Sequence, residues 1–481
     1  MRAELRTGGG AFGLDGAAWR RLGERITSAS AAARRTRRGV LVSVSRAIDP
    51  SLDLAAAVLA GRRVADRYFC FDEPDRDRFA LAGLGEAIAI YGTGSQRFAD
   101  VAAECRAVVL GALTDDLGPD APSGAGPVWV GGFSFAPDGG SSPEWASLPP
   151  GVLVLPAVSL ARRGGSAWLT ANVLVQGDDS PAALLGRVED RLAELAPARM
   201  PLLDPDPIGA AMVASAAPPE HFESAVSRAI ERIAAGEVEK VVLAREVRVH
   251  MTAPAEPGAV YDALRGAFPS CYCYLVGTPE VGFIGASPEL LVRRDGQRAQ
   301  TVALAGTRRR SADPAVDRHL AEQLLQSPKD REEQAIVARR IERTLRPVSV
   351  WVATAEEPVV VKVQNVQHLA TPIRAQLAEP VACVELAGLL HPTPAVGGEP
   401  RERALRLIPA LEGLDRGWYA GPVGWTDTAE DGEFCVALRC ALLRGNIAHL
   451  YAGEGIVRDS VPSEELAANE AKLEALLPLL T

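Results

Sequence analysis

The sequence predicts an α+β fold, and two observations support this prediction. Segments with strand-like spacing and segments with helix-like spacing follow one another without regular alternation, which excludes a doubly wound parallel sheet. No fixed-period repeat occurs along the 481 residues, so a solenoid or a propeller is not expected. With 47% hydrophobic residues, the chain can bury a large core without disulfide bonds. Length alone would allow about two to four domains.

Composition excludes several classes of function. The formal net charge is −10, and an acidic chain is a poor partner for nucleic acid or for an anionic membrane surface. The sequence has no run of about 18 apolar residues that would span a bilayer. Seven cysteines are few for this length and odd in number, which is typical of a reducing compartment. We therefore expect a cytoplasmic monomer or weak homo-oligomer with no nucleic-acid and no membrane partner.

The first 200 residues show a mixed pattern. The segment Asp115–Pro150 is rich in Gly, Pro, Ser and Asp and is predicted to be mainly loop. The segment Ala196–Pro219 is rich in Pro and Ala, and we interpret it as a connector to the second half. The elements predicted around these segments are strands at Val40–Val44, Val128–Val130, Val152–Leu160 and Ser166–Val175, the last two paired, and helices at Phe98–Leu113 and Pro181–Leu195.

The second half, residues 220–481, contains more motifs. His221–Ala235 carries one apolar stripe at helical spacing and is followed by Gly236, a common helix stop. Strands are predicted at Glu239–Val249, Tyr272–Val276, Gly282–Gly285, Leu290–Arg294, Val359–Val363, Trp418–Trp425, Phe434–Leu443 and Ile447–Ala452. Further helices are predicted at Asp313–Gln326, Pro328–Leu345, Ala382–Leu390, Arg401–Leu407 and Ser463–Leu477.

Lysine is rare in this chain, because only Lys240, Lys329, Lys362 and Lys472 are found among 51 basic residues. A lysine can lose its proton inside a site, which an arginine effectively cannot. Lys240 opens the apolar run Val241–Ala244, and a lysine buried at the start of a strand is a candidate general base. The alternative is a strand-end lysine whose amine reaches solvent.

Three carboxylates lie in patterns that suit acid chemistry or metal binding. Glu289 follows the turn Ser287–Pro288 between two apolar segments, where burial would raise its pKa and make it a candidate general acid, unless it is simply exposed in the turn. Asp330 and Glu333 share one face of the helix that begins near Ser327. Two carboxylates one turn apart suit Mg²⁺, although Asp330 could instead only cap the helix.

Two segments near the C-terminus are candidates for anion binding. Arg439 is predicted to lie within an apolar strand, where it needs an anion: a substrate carboxylate or a structural ion-pair partner. Tyr451–Val457 is predicted to be a strand ending in a Gly-rich turn whose NH groups approach an anionic ligand. Glu465 and Lys472 face the same way on the last helix. The six histidines have no metal-ligand spacing, and no phosphate-binding loop or dinucleotide fingerprint occurs.

The order and spacing of eight motifs within about residues 220–478 carry more weight than any single motif. The motifs are Val-Glu-Lys-Val-Val-Leu-Ala-Arg, Gly-Ala-Ser-Pro-Glu-Leu, Ala-Gly-Thr-Arg, Lys-Asp-x-x-Glu, Gln-His-Leu-Ala-Thr-Pro, His-Pro-Thr-Pro-Ala-Val-Gly-Gly, Gly-Trp-Tyr-Ala-Gly-Pro-Val-Gly and Ala-Gly-Glu-Gly-Ile-Val. Together they resemble the chorismate-utilising enzymes, and among these the isochorismate synthases of menaquinone and siderophore pathways. Over the first 200 residues the resemblance is thinner and rests on Trp129–Phe135 and Leu153–Pro156.

This resemblance implies a fold. It is one large α+β domain in which two mainly antiparallel sheets pack face to face with helices outside. Residues 1–200 would form a variable half of this fold, and residues 220–481 would form the chorismate-binding catalytic half. The cleft between the halves would hold the site.

The resemblance also implies a reaction, in which water attacks C2 of chorismate while the C4 hydroxyl leaves, giving isochorismate. Lys240 would activate the water and Glu289 would protonate the leaving hydroxyl. Mg²⁺ would hold the ring carboxylate, with ligands implied at Glu333, Asp330 and Glu465. The implied substrate-binding residues are Gly306, Thr307, His368, Ala395, Val396, Tyr419, Arg439, Gly453 and Lys472.

Two positions separate this chain from other relatives in the resembled family. Relatives that add ammonia commonly carry Gln where this chain has Lys240, and a relative that forms a covalent lysine adduct has Lys where this chain has Ala305. Salicylate synthase, which also eliminates pyruvate, remains an alternative. The loop His391–Gly398 resembles that of the synthases that stop at isochorismate.

The terminal helix departs from the family pattern. After the proline, the resembled enzymes place glutamates at the third and sixth residues and a lysine at the tenth. Here Pro462 is followed by Glu465, Ala468 and Lys472, so one expected metal-binding carboxylate is missing. Gln334 also stands where His is common. A catalytically weakened chorismate-binding homologue is therefore a further alternative.

Overall fold

The strands of the protein form two separate sheets. The structure is a computed structural model that describes residues 10–118, 121–204, 210–364 and 366–481. Neighbouring strands in each sheet pair antiparallel, as between β-strands Val40–Ile48 and Ser166–Val175. The strands described are β1 (Val40–Ile48), β2 (Tyr68–Glu73), β3 (Phe79–Leu84), β4 (Ile88–Tyr91), β5 (Val128–Phe133), β6 (Gly151–Leu155), β7 (Val158–Arg163), β8 (Ser166–Val175), β9 (Met212–Ser215), β10 (Lys240–His250), β11 (Tyr272–Gly277), β12 (Gly282–Ser287), β13 (Leu290–Asp295), β14 (Arg298–Arg309), β15 (Ser349–Thr354), β16 (Val359–Lys362), β17 (Val366–Leu377), β18 (Gly398–Glu399), β19 (Pro422–Asp427), β20 (Gly432–Val436), β21 (Cys440–Arg444) and β22 (Ile447–Ile456).

Both halves of the sequence contribute strands to both sheets. The larger sheet has the order β1-β8-β7-β3-β2-β11-β12-β21-β22-β10-β18, with β9 also paired to β10. The smaller sheet has the order β15-β17-β14-β13-β20-β19-β5-β6-β4, with β16 also paired to β17. The described chain therefore forms one two-sheet unit rather than the several domains that length alone allows. The division near residues 200–220 remains a prediction.

A hydrophobic core fills the space between the sheets. Phe69 and Phe71 of β2 belong to this core, whereas Cys70 between them packs on the opposite side of the sheet, as the pleat requires. Trp425 of β19 stacks on Phe79 of β3 with ring centroids 5.8 Å apart, which joins the smaller sheet to the larger one. A second core lies on the outer face of the larger sheet.

Helices cover both outer faces. In chain order they are α1 (Gly16–Thr36), α2 (Leu54–Ala60), α3 (Arg97–Val109), α4 (Pro181–Ala193), α5 (Pro219–Ala234), α6 (Pro257–Ala267), α7 (Pro314–Gln326), α8 (Pro328–Leu345), α9 (Cys383–Leu390), α10 (Arg401–Glu412) and α11 (Pro462–Leu473). Helices α1, α2, α4 and α6 pack on the larger sheet, and α3, α7, α8 and α9 pack on the smaller sheet. Helices α5, α10 and α11 lie around β10 and β22. The order helix, sheet, sheet, helix confirms the predicted sandwich.

The chain crosses between the sheets at two places that matter for the site. Strand β12 belongs to the larger sheet and β13 to the smaller, so the link Pro288–Glu289 makes one crossing. Strands β20 and β21 make the other, through residues 437–439. The two links are tied together, because Val436 N donates to Glu289 O (3.0 Å) and Ala286 N donates to Arg439 O (3.1 Å).

Two predicted strands are wrong because each is divided between the sheets. Val152–Leu160 breaks at Pro156, which cannot donate a ladder hydrogen bond, so that β6 joins the smaller sheet and β7 the larger. The predicted pairing of β7 with β8 is confirmed. Phe434–Leu443 breaks into β20 and β21, and Arg439 lies in the crossing with φ 48° rather than in mid-strand.

Several other boundaries differ from the predictions. Strand β19 begins only at Pro422, after a turn in which Ala420 has φ 62°. The predicted Gly-rich turn around Gly453 is wrong, since this residue lies inside β22. The predicted connector Ala196–Pro219 contains β9, while its residues 205–209 lie outside the described residues. Among the described helices, none has both the length and the apolar character needed to cross a bilayer.

Candidate active site

A cavity of about 190 Å³ lies between elements of both sheets and helices α8 and α11. Thirteen of the fourteen predicted site residues line it, although they come from distant parts of the chain. They are Glu289, Gly306, Thr307, Asp330, Glu333, His368, Ala395, Val396, Tyr419, Arg439, Gly453, Glu465 and Lys472. The fourteenth, Lys240, lies directly behind this wall against Glu333.

Lys240 is completely buried at the start of β10. Its Nζ lies 2.8 Å from Glu333 Oε1, as an ion pair without hydrogen-bond alignment. The alternative of an amine that reaches solvent is therefore wrong. The amine therefore lies next to the cavity with one carboxylate as its close charged partner.

Glu289 lies at the first sheet crossing and is 3% exposed, so the alternative of an exposed turn glutamate is wrong. Its NH donates to Ser287 Oγ (3.2 Å), which fixes the turn. Burial raises the pKa of Glu289 to about 8, although the charges of Lys240, Arg439 and Lys472 act to lower it. The side chain therefore holds a proton near neutral pH, as a general acid must.

Arg439 and His368 form a hydrogen-bonded pair in the cavity wall. Arg439 Nη2 donates to His368 Nε2 (3.2 Å), because a guanidinium has no acceptor. His368 Nδ1 then carries the proton and donates to Gly306 O (3.2 Å), with Thr307 Oγ1 also at 3.1 Å. Burial and Arg439 hold the pKa of His368 well below its usual value, so the ring is neutral. Arg439 Nε is buried without a hydrogen-bond partner, which leaves a donor for an anionic ligand.

Helix α8 supplies Asp330 and Glu333, both buried on one face as predicted. Ser327 Oγ accepts from Asp330 N (3.3 Å), whereas the Asp330 carboxylate lies 3.4 Å from Arg308 Nη2, so Asp330 does more than cap the helix. Gly455 lets Glu333 approach β22, because a Cβ there would lie 2.2 Å from Glu333 Oε1. The helix therefore presents two carboxylates to the cavity.

Helix α11 supplies Glu465 and Lys472. Glu465 pairs with Lys329 of α8 at 2.7 Å. Lys472 Nζ donates to Gly453 O and to Glu454 Oε2, both at 2.7 Å. Ala468, between them on the helix, also lines the cavity.

Glu454 is a cavity residue to which the sequence analysis assigned no role. It is 4% exposed, and its second carboxylate oxygen, Oε1, has no hydrogen-bond partner. Burial raises the pKa of Glu454 to about 7, while Lys472 acts to lower it. A charged residue between Gly453 and Gly455 in a buried strand was the available signal in the sequence.

The cavity has the donor set that Mg²⁺ prefers. Carboxylates of Asp330, Glu333, Glu454 and Glu465 line it, and the free Oε1 of Glu454 is an oxygen without a protein donor. Each carboxylate lies against a lysine or arginine, and among the described residues no group of three or more His, Cys, Asp or Glu side chains is arranged to hold a metal ion. By their chemistry, these oxygen ligands fit a hard divalent cation once the basic partners give way.

A buried ion pair beneath the cavity was also missed. Arg416 Nη1 and Nη2 donate to Val396 O (2.8 Å) and Val242 O (2.9 Å), and its Nε donates to Glu412 Oε2 (3.0 Å). Glu412 Oε1 in turn accepts from Ala244 N (2.6 Å). This pair joins strand β10 to the loop that carries Val396. Glu412 and Arg416 are only four residues apart, but the backbone groups that they hold, in Val242, Ala244 and Val396, are distant in sequence. Local spacing therefore does not indicate this role.

The fold and the cavity together define a class: an α+β protein with a buried amine, a protonated buried carboxyl and a cationic wall around a site for a small anion. The chain belongs to the family described as chorismate binding enzyme, whose model matches residues 27–481.

Comparisons with individual relatives support membership of this family. The chain is 36% identical over 445 residues to the salicylate biosynthesis isochorismate synthase of Pseudomonas aeruginosa, covering 92% of this chain and 91% of the relative. It is 31% identical over 455 residues to isochorismate synthase MenF of Bacillus subtilis, covering 93% and 95%. The solved structure of MenF, the menaquinone-specific isochorismate synthase of Escherichia coli, superposes with a TM-score of 0.77 at 26% identity, covering 95% of this chain and 100% of that chain.

Proposed function

We propose that this protein is an isochorismate synthase that interconverts chorismate and isochorismate. Water adds at C2, the C4 hydroxyl leaves, and the double bonds shift. A proton leaves the attacking water and another joins the departing hydroxyl, so the reaction is an isomerisation. Two long relatives named isochorismate synthases support this function.

The observation that carries the proposal is the pairing of a buried amine with a protonated buried carboxyl at one cavity. Lys240 takes the proton from the attacking water, and Glu289 gives its proton to the leaving hydroxyl. The raised pKa of Glu289, about 8, keeps that proton available at neutral pH. Both residues are present in the sequence, which favours an active enzyme over a weakened homologue.

The cationic wall holds the two carboxylates of the substrate. Arg439 offers its free Nε, and His368 fixes the guanidinium in position. Lys472 adds a second positive charge, while Tyr419, Ala395 and Val396 shape the remaining surface. Gly306, Thr307 and Gly453 bring backbone and hydroxyl groups close to the ligand.

Mg²⁺ is the proposed cofactor. Glu333 and Asp330 are the residues that would hold it, with Glu465 in support. Bound there, the ion supplies charge neutralisation for the substrate carboxylate. The carboxylate cluster and the unpartnered oxygen of Glu454 support this assignment.

We propose a cytoplasmic location because of the state of the cysteines. All seven lie in the described residues, all are buried and none forms a disulfide. This is typical of a reducing compartment.

The test is incubation of the purified protein with chorismate and Mg²⁺, followed by chromatographic identification of the products. Isochorismate alone is the expected product. Salicylate with pyruvate would replace the proposal with a salicylate synthase. Chorismate binding without turnover would replace it with a binding homologue. The Glu289→Gln variant is the control, since it should bind chorismate without converting it.

A further inference from the structure

One position of the proposed metal site lacks its carboxylate on α11. Ala468 lines the cavity where the resembled family places a glutamate. Glu465, the remaining acid of that face, is held by Lys329 at 2.7 Å. The buried face of the terminal helix therefore offers no unengaged carboxylate to an ion near Glu333, while its other cavity acid, Glu464, is exposed.

Glu454 lies on strand β22, next to the residue that Glu333 approaches. The Glu333 carboxylate lies against Gly455, which follows Glu454 directly. Glu333, Glu454 and Glu465 all line the same cavity. Lys472 occupies only one Glu454 oxygen, Oε2, and leaves Oε1 buried without a donor. A buried carboxylate oxygen with no donor is costly unless a cation satisfies it.

We propose that Glu454 supplies the metal-binding carboxylate that Ala468 lacks, so that strand β22 rather than helix α11 completes the cation site. The inference deepens the proposed function, because it concerns the Mg²⁺ that the reaction uses. With Glu454 in place of the missing carboxylate at Ala468, the cavity has as many carboxylates as the resembled family pattern provides. The number of charged ligands sets the affinity of an oxygen site for a divalent cation. It also gives Lys472 a fixed position, since Glu454 Oε2 and Gly453 O both accept from it.

The experiment is a metal titration that does not depend on turnover. Mg²⁺ binding is measured by calorimetry, and Mn²⁺ binding by electron paramagnetic resonance, on wild type, Glu454→Gln and the double variant Glu454→Ala/Ala468→Glu. Glu464→Gln is the matched control, because Glu464 is an exposed acid that lines the same cavity. Circular dichroism reports whether each variant is folded.

Glu454→Gln is expected to weaken binding of both ions by about tenfold or more. Glu464→Gln should change binding little, and the double variant should recover most of the lost affinity. If Glu454→Gln binds the ions as tightly as Glu464→Gln, Glu454 is only the partner of Lys472 and the proposal is wrong. A double variant that folds but regains no affinity also contradicts it.

Failure of the proposed function is distinguishable from failure of this inference. If only the proposed function is wrong, wild type would bind the ions and respond to Glu454→Gln as expected, yet would not convert chorismate to isochorismate.

Discussion

At the scale of single residues, Lys240 and Glu289 are both buried but have different neighbours. Lys240 lies against one carboxylate, Glu333, whereas the near charges around Glu289 are all positive. Burial nevertheless outweighs those positive charges and keeps Glu289 protonated. The cavity therefore has a protonated carboxylic acid in its wall and a buried amine directly behind that wall.

Lys240→Ala is expected to lower kcat by at least about 10²–10⁴-fold, because the group proposed to deprotonate water is lost while the strand remains. The measurement is initial rate with chorismate and Mg²⁺. Lys240→Met is the control for packing, since it retains most of the buried stem without the amine and should be equally inactive. Activity above about a tenth of wild type in either variant would remove Lys240 from this role.

Glu289→Gln is expected to bind chorismate but not convert it, because the amide has no proton to give. The wild-type rate should fall as pH rises through about 8, where Glu289 loses its proton. Folding raises the pKa of this carboxyl from 4.5 to about 8, so burial of Glu289 costs stability as pH rises across this interval. A glutamine at position 289 does not ionise, so the variant loses no stability in this way as pH rises.

The melting temperature of Glu289→Gln should therefore exceed that of wild type at pH 8 and approach it at pH 4.5. Calorimetric scans across this range measure the difference. A constant difference at all pH values would mean that the pKa of Glu289 is not raised on folding.

At the scale of elements, α8 and α11 are linked by the ion pair between Lys329 and Glu465. The Glu465 side chain is 7% exposed and that of Lys329 30%, so the pair is mostly shielded from water. Removing the lysine leaves a buried carboxylate without its partner, which costs more than the pair contributes.

Lys329→Met and Glu465→Gln should each destabilise the protein by about 1–3 kcal/mol, and the double variant should lose less than their sum. Urea unfolding of the four proteins gives the coupling energy. Lys362→Met controls for the removal of a lysine from an ion pair elsewhere in the protein, because Lys362 forms a 2.7 Å pair with Asp317 away from the cavity. Additive losses at 329 and 465 would show that the helices are held by other contacts.

Individual helices and strands also show why only part of the fold can be predicted from local sequence patterns. Helix α8 is predicted to the residue because Ser327 caps it, Pro328 begins it and apolar spacing continues to Leu345. The break at Pro156 and the crossing at Arg439 are not predicted, because a continuous apolar run does not reveal which sheet each part joins. Site residues came from spaced motifs. Glu454 stands in one of these motifs, but its role, like that of Arg416, depends on tertiary contacts that spacing does not encode.

At the scale of the whole molecule, a buried charge cluster fastens the two sheets together. Glu73, from β2 of the larger sheet, and Glu433, from β20 of the smaller, share Arg76. Arg293 of β13 contacts both carboxylates as well. None of the four lines the cavity, so the cluster serves the sandwich rather than the site. Burial and the neighbouring Glu73 hold the pKa of Glu433 well above its usual value.

Arg293→Met should lower the free energy of unfolding by about 3–5 kcal/mol, since two buried carboxylates are left with one arginine. Loss of this cation raises the pKa of Glu433 further. A carboxyl whose pKa rises on folding costs stability as pH increases, so the loss should be larger at pH 9 than at pH 5.5. Urea unfolding at the two pH values measures it, with the exposed Arg298→Met on the neighbouring strand as control. Chorismate turnover at 20 °C should stay close to wild type. A loss that does not depend on pH would mean that Arg293 stabilises the sandwich through packing of its stem and not through its charge.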